Sequence, residues 1–111
     1  EGEAMHNMTF SVRIRGELQK VLMTDTFHVG GVRFGCYDIG NSKYRCAELS
    51  TGTIVTEGSF WHCKNDCEKN IAKVKHFLTT ETGRKRKREL EFFDFTDTER
   101  EWKELKARYR G

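Results

Sequence analysis

Val32-Arg33-Phe34-Gly35-Cys36-Tyr37-Asp38-Ile39, Gly40-Asn41-Ser42-Lys43 and Tyr44-Arg45-Cys46-Ala47-Glu48-Leu49, taken in order, decide the fold. The outer runs are rich in aromatic and apolar residues, and the middle four are turn formers. Together they read as an antiparallel hairpin. With the turn at 40–43, Ile39 faces Tyr44, Asp38 faces Arg45, Cys36 faces Ala47 and Phe34 faces Leu49. Apolar meets apolar and acid meets base, as cross-strand pairing favours. This register sets Cys36 and Cys46 on opposite faces of the sheet, where they can neither bridge nor share a metal.

The pattern continues on both sides. Thr51-Gly52 is a tight-turn signal, and a two-residue loop there places Leu49 opposite Ile54 in a strand running toward Phe60. Upstream, Gly30-Gly31 ends a less regular strand that starts near Val21 and runs to about Phe27. Before it, Met8, Phe10, Val12 and Ile14 alternate with Thr9, Ser11, Arg13 and Arg15, the mark of a half-buried strand, and Gly16-Glu17 turns the chain. Downstream, Asn65 with Glu68 forms a capping box for a helix whose stripe is Cys67, Ile71, Val74 and Leu78. Thr79 to Gly83 stops it. Leu90 to Phe95 is aromatic and partly alternating and reads as a strand, with a helix as the alternative. Thr96 with Glu99 opens a second helix over Thr98 to Tyr109, with Trp102, Leu105 and Tyr109 as its stripe. Strands followed by helices give an α+β fold: an antiparallel meander of four to six short strands, one helix packed on it and a second, C-terminal helix.

Composition bounds the rest. The 111 residues are 36% hydrophobic and 33% charged, enough for one modest core. Eight Phe, three Tyr and two Trp exclude a wholly disordered chain. No apolar run approaches the ~18 residues of a membrane span. Residues 1–7 read as a tail or cloning remnant, and 8–111 as one α+β domain. No secretory h-region is present, so the expected compartment is the cytoplasm and the four cysteines are expected as reduced thiols.

Glu48 to Val55, with Lys64-Asn65-Asp66 and the helix Cys67 to Leu78, resembles small phage and mobile-element accessory proteins. In these a strand, a Thr-Gly turn and a strand lead into one amphipathic helix. The resemblance covers 48–78 and consists of turn and cap residues, so it transfers no site residue. It implies an origin in a phage or conjugative element and action by binding host machinery, including defence nucleases.

Catalytic and metal chemistry find little support in the sequence. His62-Cys63-x-x-x-Cys67 with His76 lacks the second close pair of a structural zinc site, and Cys67 lies on the apolar stripe, so core packing is the better account. Gly30 to Gly35 has neither the Lys-Ser/Thr nor the following helix of a phosphate loop. No Ser or Cys is joined by a local signature to His28, His62 or His76. A non-enzymatic protein without cofactor is therefore expected.

Binding residues are the stronger candidates. Arg84, Lys85, Arg86, Lys87 and Arg88 are five consecutive cations, which repel one another and contribute nothing to a core. Such a block suits phosphates, an acidic protein surface, or simply a solvated loop beside a helix end. Tyr37, Tyr44 and Trp61 share one sheet face in the register above, either as a platform for bases or as ground for a second helix. Trp102 belongs to a helix stripe in need of a partner. The leading expectation is a small accessory protein that binds a host protein or nucleoprotein complex, as an inhibitor of a defence nuclease, through the basic block and C-terminal helix. The alternative is a nucleic-acid-binding module using 84–88. Neither reading involves a membrane.

Overall fold

The computed structural model describes residues 8–110, with the backbone alone at 97, 98, 101, 102, 105 and 108–110 of the last helix. The tail 1–7 lies outside the described residues. The fold is α+β with antiparallel sheets. Strands β1 (Thr9–Ile14) and β2 (Glu17–Leu22) form a two-stranded hairpin. Strands β3 (Asp25–Val29), β4 (Val32–Gly40), β5 (Lys43–Glu48) and β6 (Thr53–Gly58) form a four-stranded meander in chain order. The β1–β2 turn is Arg15-Gly16, one residue earlier than expected, and Gly30-Gly31 turns β3 into β4.

The central hairpin departs from the expected register by one residue. Asn41 and Ser42 both adopt left-handed backbone, with φ of 57° and 60°. They alone make the turn, which brings Gly40 opposite Lys43. Such two-residue turns match the right-handed twist of the flanking strands. A register shift between Asp38 and Gly40 follows, and beyond it Asp38 faces Tyr44, Tyr37 faces Arg45, Cys36 faces Cys46 and Phe34 faces Glu48. A one-residue slip reverses which face each side chain takes. Cys36 and Cys46 are therefore direct partners on one face, correcting the expectation that they diverge. The loop to β6 is also longer than expected: it spans 49–52, so Glu48 faces Thr53 and Ala47 faces Ile54.

Both faces of the meander are covered. One carries Val32, Phe34, Cys36 and Cys46 under Cys63, Cys67, Ile71, Val74 and Leu78 of two helices. The other carries Tyr37, Ala47 and Leu49 against Val12, Phe10, Ile14 and Val21 of the hairpin and Met23 beyond it. Gly35 belongs to this second contact. A Cβ there would come within 2.9 Å of the Met23 sulfur and 3.1 Å of Leu49, so glycine lets the hairpin sit down on the sheet.

Helix α1 (Phe60–Lys69) is capped by Ser59, whose hydroxyl accepts from the His62 N–H at 3.2 Å. Asn65, the expected cap, lies inside it. Asn70 breaks the helix. Its backbone N–H and its side-chain amide both donate to the Asp66 carbonyl at 2.9 Å, and α2 (Ile71–Thr79) starts beyond. Thr80 then ends one helix and starts another. Its hydroxyl donates to the Phe77 carbonyl and accepts from the Gly83 N–H at 3.1 Å. Helix α3 runs from there as Glu81–Arg110.

This corrects two expectations. Residues 88–95 are helical, not a strand, and Thr96 with Glu99 lies within a helix rather than at its start. The physical reasons are local. Thr80 supplies a cap, Arg, Lys, Glu and Leu are strong helix formers, and only Leu90 of the alternating residues is buried. At Gly83 a Cβ would run into the Phe77 carbonyl, so glycine permits the first turn of α3 to sit against the last turn of α2.

Candidate functional site

The basic block lies in the first two turns of α3, not in a loop at a helix C-terminus. Cations there face the positive end of the macrodipole and gain nothing from it. One of the five serves the fold. The Arg86 guanidinium donates to Thr53 Oγ1 at 3.2 Å and lies 5.7 Å from the Phe77 ring centre. Its carbonyl accepts from Arg13 at 2.8 Å. Arg13 also donates to the Thr51 carbonyl at 3.0 Å and pairs with Glu89 at 3.0 Å, so one guanidinium joins β1, the 49–52 loop and α3. Ser11 donates to Asp94 at 2.6 Å one turn further on.

Arg84, Lys85, Lys87 and Arg88 are exposed, and no ion pair among the described residues uses them. Helical periodicity puts Arg84, Arg88, Phe92 and Phe95 on one stripe, at i, i+4, i+8 and i+11. Phe92 is 71% and Phe95 63% exposed. Exposed Glu91 lies within the same stripe. The result is a helix face of cations, one carboxylate and two bare aromatic rings, none of it committed to the core. The sequence held this signal in the helical spacing, which reading Leu90 to Phe95 as a strand concealed. Beyond Asp94 every described side chain of α3 is exposed. The Trp102 side chain is outside the described residues.

The three sheet aromatics do not form a common face. Tyr37 is buried on the hairpin side, its hydroxyl accepting from Arg45 at 3.3 Å while that guanidinium lies 5.9 Å from its ring centre. Arg45 is tied in turn to Glu57 at 2.7 Å, and these partners raise its pKa, the Tyr37 hydrogen bond most. Tyr44 is on the helix side, half-buried and edge-on to Phe60 at 6.0 Å. Trp61 is on α1, 67% exposed, edge-on to Phe60 with the Lys64 ammonium 5.8 Å from its ring centre. The common face implied by the expected register, whether for bases or for a second helix, is absent, and of the three rings Trp61 is the exposed one.

The corrected register assembles all four cysteines in the core. Cys36, Cys46, Cys63 and Cys67 are fully buried free thiols. The Cys46 and Cys67 sulfurs are 3.3 Å apart. The hydrogen bond from Cys46 lowers the Cys36 thiol and correspondingly raises that of Cys46. Burial, the largest cause, pushes Cys63 up to about 12. Among the described residues no group of three or more His, Cys, Asp or Glu side chains is placed to hold a metal, and His76 is exposed.

A second buried polar device was not foreseen. Glu48, 3% exposed, accepts from the Ser50 N–H at 2.8 Å and hydroxyl at 2.6 Å, and from the Thr51 N–H at 3.0 Å and hydroxyl at 2.6 Å. It shapes the loop on which Arg13 docks. No family model, curated protein or solved structure matches the chain.

Proposed function

We propose that this chain is a non-enzymatic binding protein whose contact surface is the outer stripe of α3, Arg84, Arg88, Phe92 and Phe95, flanked by Lys85 and Lys87. The observation that carries the reading is the pair of bare phenylalanine rings in line with cations that the fold does not use. Arg and aromatic residues are enriched where proteins bind proteins, as anchors that become desolvated. Glu91 in the stripe opposes a continuous phosphate track and favours a protein or nucleoprotein partner of mixed, mainly acidic character. The resemblance at 48–78 supplies the class of target: host machinery met by a phage or mobile element, a defence nuclease foremost.

The second reading, direct nucleic-acid binding, is favoured by the four uncommitted cations in two turns. One measurement separates the two. Fluorescence anisotropy with random-sequence DNA and RNA at 50 mM and 200 mM salt is expected to show no micromolar binding. Micromolar binding that falls steeply with salt supports the second reading, because released counterions impose that slope. In cells carrying a nuclease-based defence, expression is expected to raise phage plating, and Phe92→Ala/Phe95→Ala to remove the effect while preserving the fold. Unchanged plating with the wild type would refute the inhibitor reading.

A further inference from the structure

The four thiols lie between β4, β5 and α1, away from the α3 stripe. They are two pairs: Cys36 and Cys46 are cross-strand neighbours, and Cys63 and Cys67 lie one turn apart on α1. Two bland explanations are available. Cysteine packs as a small hydrophobe, and a tetrathiolate would hold a soft metal. Simple packing does not require sulfur to meet sulfur at 3.3 Å. A metal would need the side chains to rearrange, since no three donors are placed around a common position among the described residues.

We infer that Cys46 of β5 and Cys67 of α1 are a disulfide-forming pair, joined by an oxidant of the peroxide class into a bond that ties the helix to the sheet. Their sulfurs, 3.3 Å apart, need to close by only about 1.3 Å to reach the ~2.05 Å of a disulfide. The helix that carries Cys67 is held at its start by the Ser59 cap and at Asp66 by the Thr56 hydroxyl at 2.8 Å, contacts that keep this sulfur facing Cys46 in the reduced fold. The bond would also constrain the fold. A bond between residues 21 apart encloses the 49–52 loop, β6 and most of α1. A Cys63–Cys67 bond would close a single helical turn.

The chemistry balances. One thiol sulfur attacks a peroxide oxygen, the O–O bond breaks, and the departing hydroxide takes the thiol proton to leave as water. The resulting sulfenic sulfur is attacked by the second thiol, the S–S bond forms, the S–O bond breaks, and a second water leaves. Two electrons pass from two thiols to one peroxide. Both sulfurs are fully buried, so the reaction proceeds from molecules in which α1 has transiently lifted, and its rate follows that opening.

The test uses the full chain. Reduced protein is treated with hydrogen peroxide, blocked with an alkylating reagent in denaturant, and digested with trypsin plus a glutamate-specific protease. The sequence then places each cysteine in its own peptide: 34–43, 46–48, 58–64 and 65–68. The expected product is 46–48 linked to 65–68, with a thermal midpoint several degrees higher that returns on adding dithiothreitol. Cys67→Ser is expected to lose both effects; should that variant fail to fold, the wild-type map decides alone. The inference is overturned by the absence of any linked peptide in peroxide-treated, folded protein, or by a link confined to another pair. It is equally overturned by a stoichiometric metal released from the purified protein by acid and captured by a colorimetric chelator, which would make the thiols its ligands.

Discussion

Replacing Glu48 by glutamine changes one atom and removes little volume, yet it should be among the most damaging conservative changes in the chain. The carboxylate receives four hydrogen bonds, two from N–H groups and two from hydroxyls, at 2.6–3.0 Å. In the amide, one oxygen becomes an NH2 donor. Whichever way the amide turns, it opposes a backbone N–H, of Ser50 or of Thr51, that is left without an acceptor. The facing hydroxyl can rotate to accept, and a backbone N–H cannot. An unsatisfied buried donor costs about 1–3 kcal/mol, and the surviving bonds lose the strengthening that an ionised acceptor gives. Together these predict a loss of about 2–4 kcal/mol. For a chain of this size each kcal/mol moves the midpoint by ~4 °C, so a fall of roughly 8–16 °C is expected. Urea titration with circular dichroism measures the free energy, and a thermal scan gives the midpoint. Glu57→Gln, at the exposed Arg45 pair, is the control, with an expected change under ~1 kcal/mol. A Glu48→Gln variant within ~0.5 kcal/mol of wild type would refute the claim that this carboxylate organises the loop.

Four further outcomes are expected. Changing Arg84, Lys85, Lys87 and Arg88 together to Gln, which keeps helix propensity, should leave stability within about 1 kcal/mol, because exposed charges of one sign gain little from folding; Arg86→Gln alone should cost more than the four combined, read by urea titration. Gly83→Ala should lower the thermal midpoint strongly, since the new methyl meets the Phe77 carbonyl, whereas Gly16→Ala introduces no contact and suffers backbone strain alone. Arg13→Ala should cost about 2–3 kcal/mol by releasing contacts to Thr51, Arg86 and Glu89, and should increase amide exchange in α3. Alkali should destabilise the fold through Cys63: its pKa lies near 9 in the unfolded chain and about 12 in the folded one, so its contribution is complete below pH 9 and disappears as pH rises from 9 toward 12. Thermal scans across that range should show a shallower decline for Cys63→Ala, and an identical decline would refute the assignment.

The legible parts of the fold were those where one local rule acts alone. The alternation from Met8 to Ile14 identified β1, and Gly30-Gly31 identified a turn, because neither competes with another signal. The central hairpin failed on one residue. Gly40 and Lys43 have turn-like composition, but Asn41 and Ser42 can hold the left-handed conformation between them, and Ile39 is passed over at the register shift. That slip exchanged the two faces, so it hid the cysteine layer and gave Tyr37 and Tyr44 a common face that they do not have. Residues 84–88 stand out from charge alone as a candidate. Their division does not, because only packing shows that Arg86 belongs to the fold and its neighbours do not. Glu48 left no local mark, since a carboxylate that serves its own loop looks like any solvated one.

The contacts of Arg13 and Ser11 with α3 span 73 and 83 residues of chain. During synthesis the β1–β2 hairpin therefore leaves the ribosome long before its last partner exists. The meander, built of neighbours in sequence, can pair as it emerges, whereas the hairpin's seam to α3 waits for Arg86, Glu89 and Asp94. Leu90 comes down on this seam, its side chain beside Gly52 close to the backbone of Ser11 and Val12. The last helix thus acts as the latch of a nascent chain: its arrival ties the latest segment to a hairpin already seated on Tyr37, Ala47 and Leu49, so that early and late segments hold one another. A partner that gripped α3 would be gripping that latch.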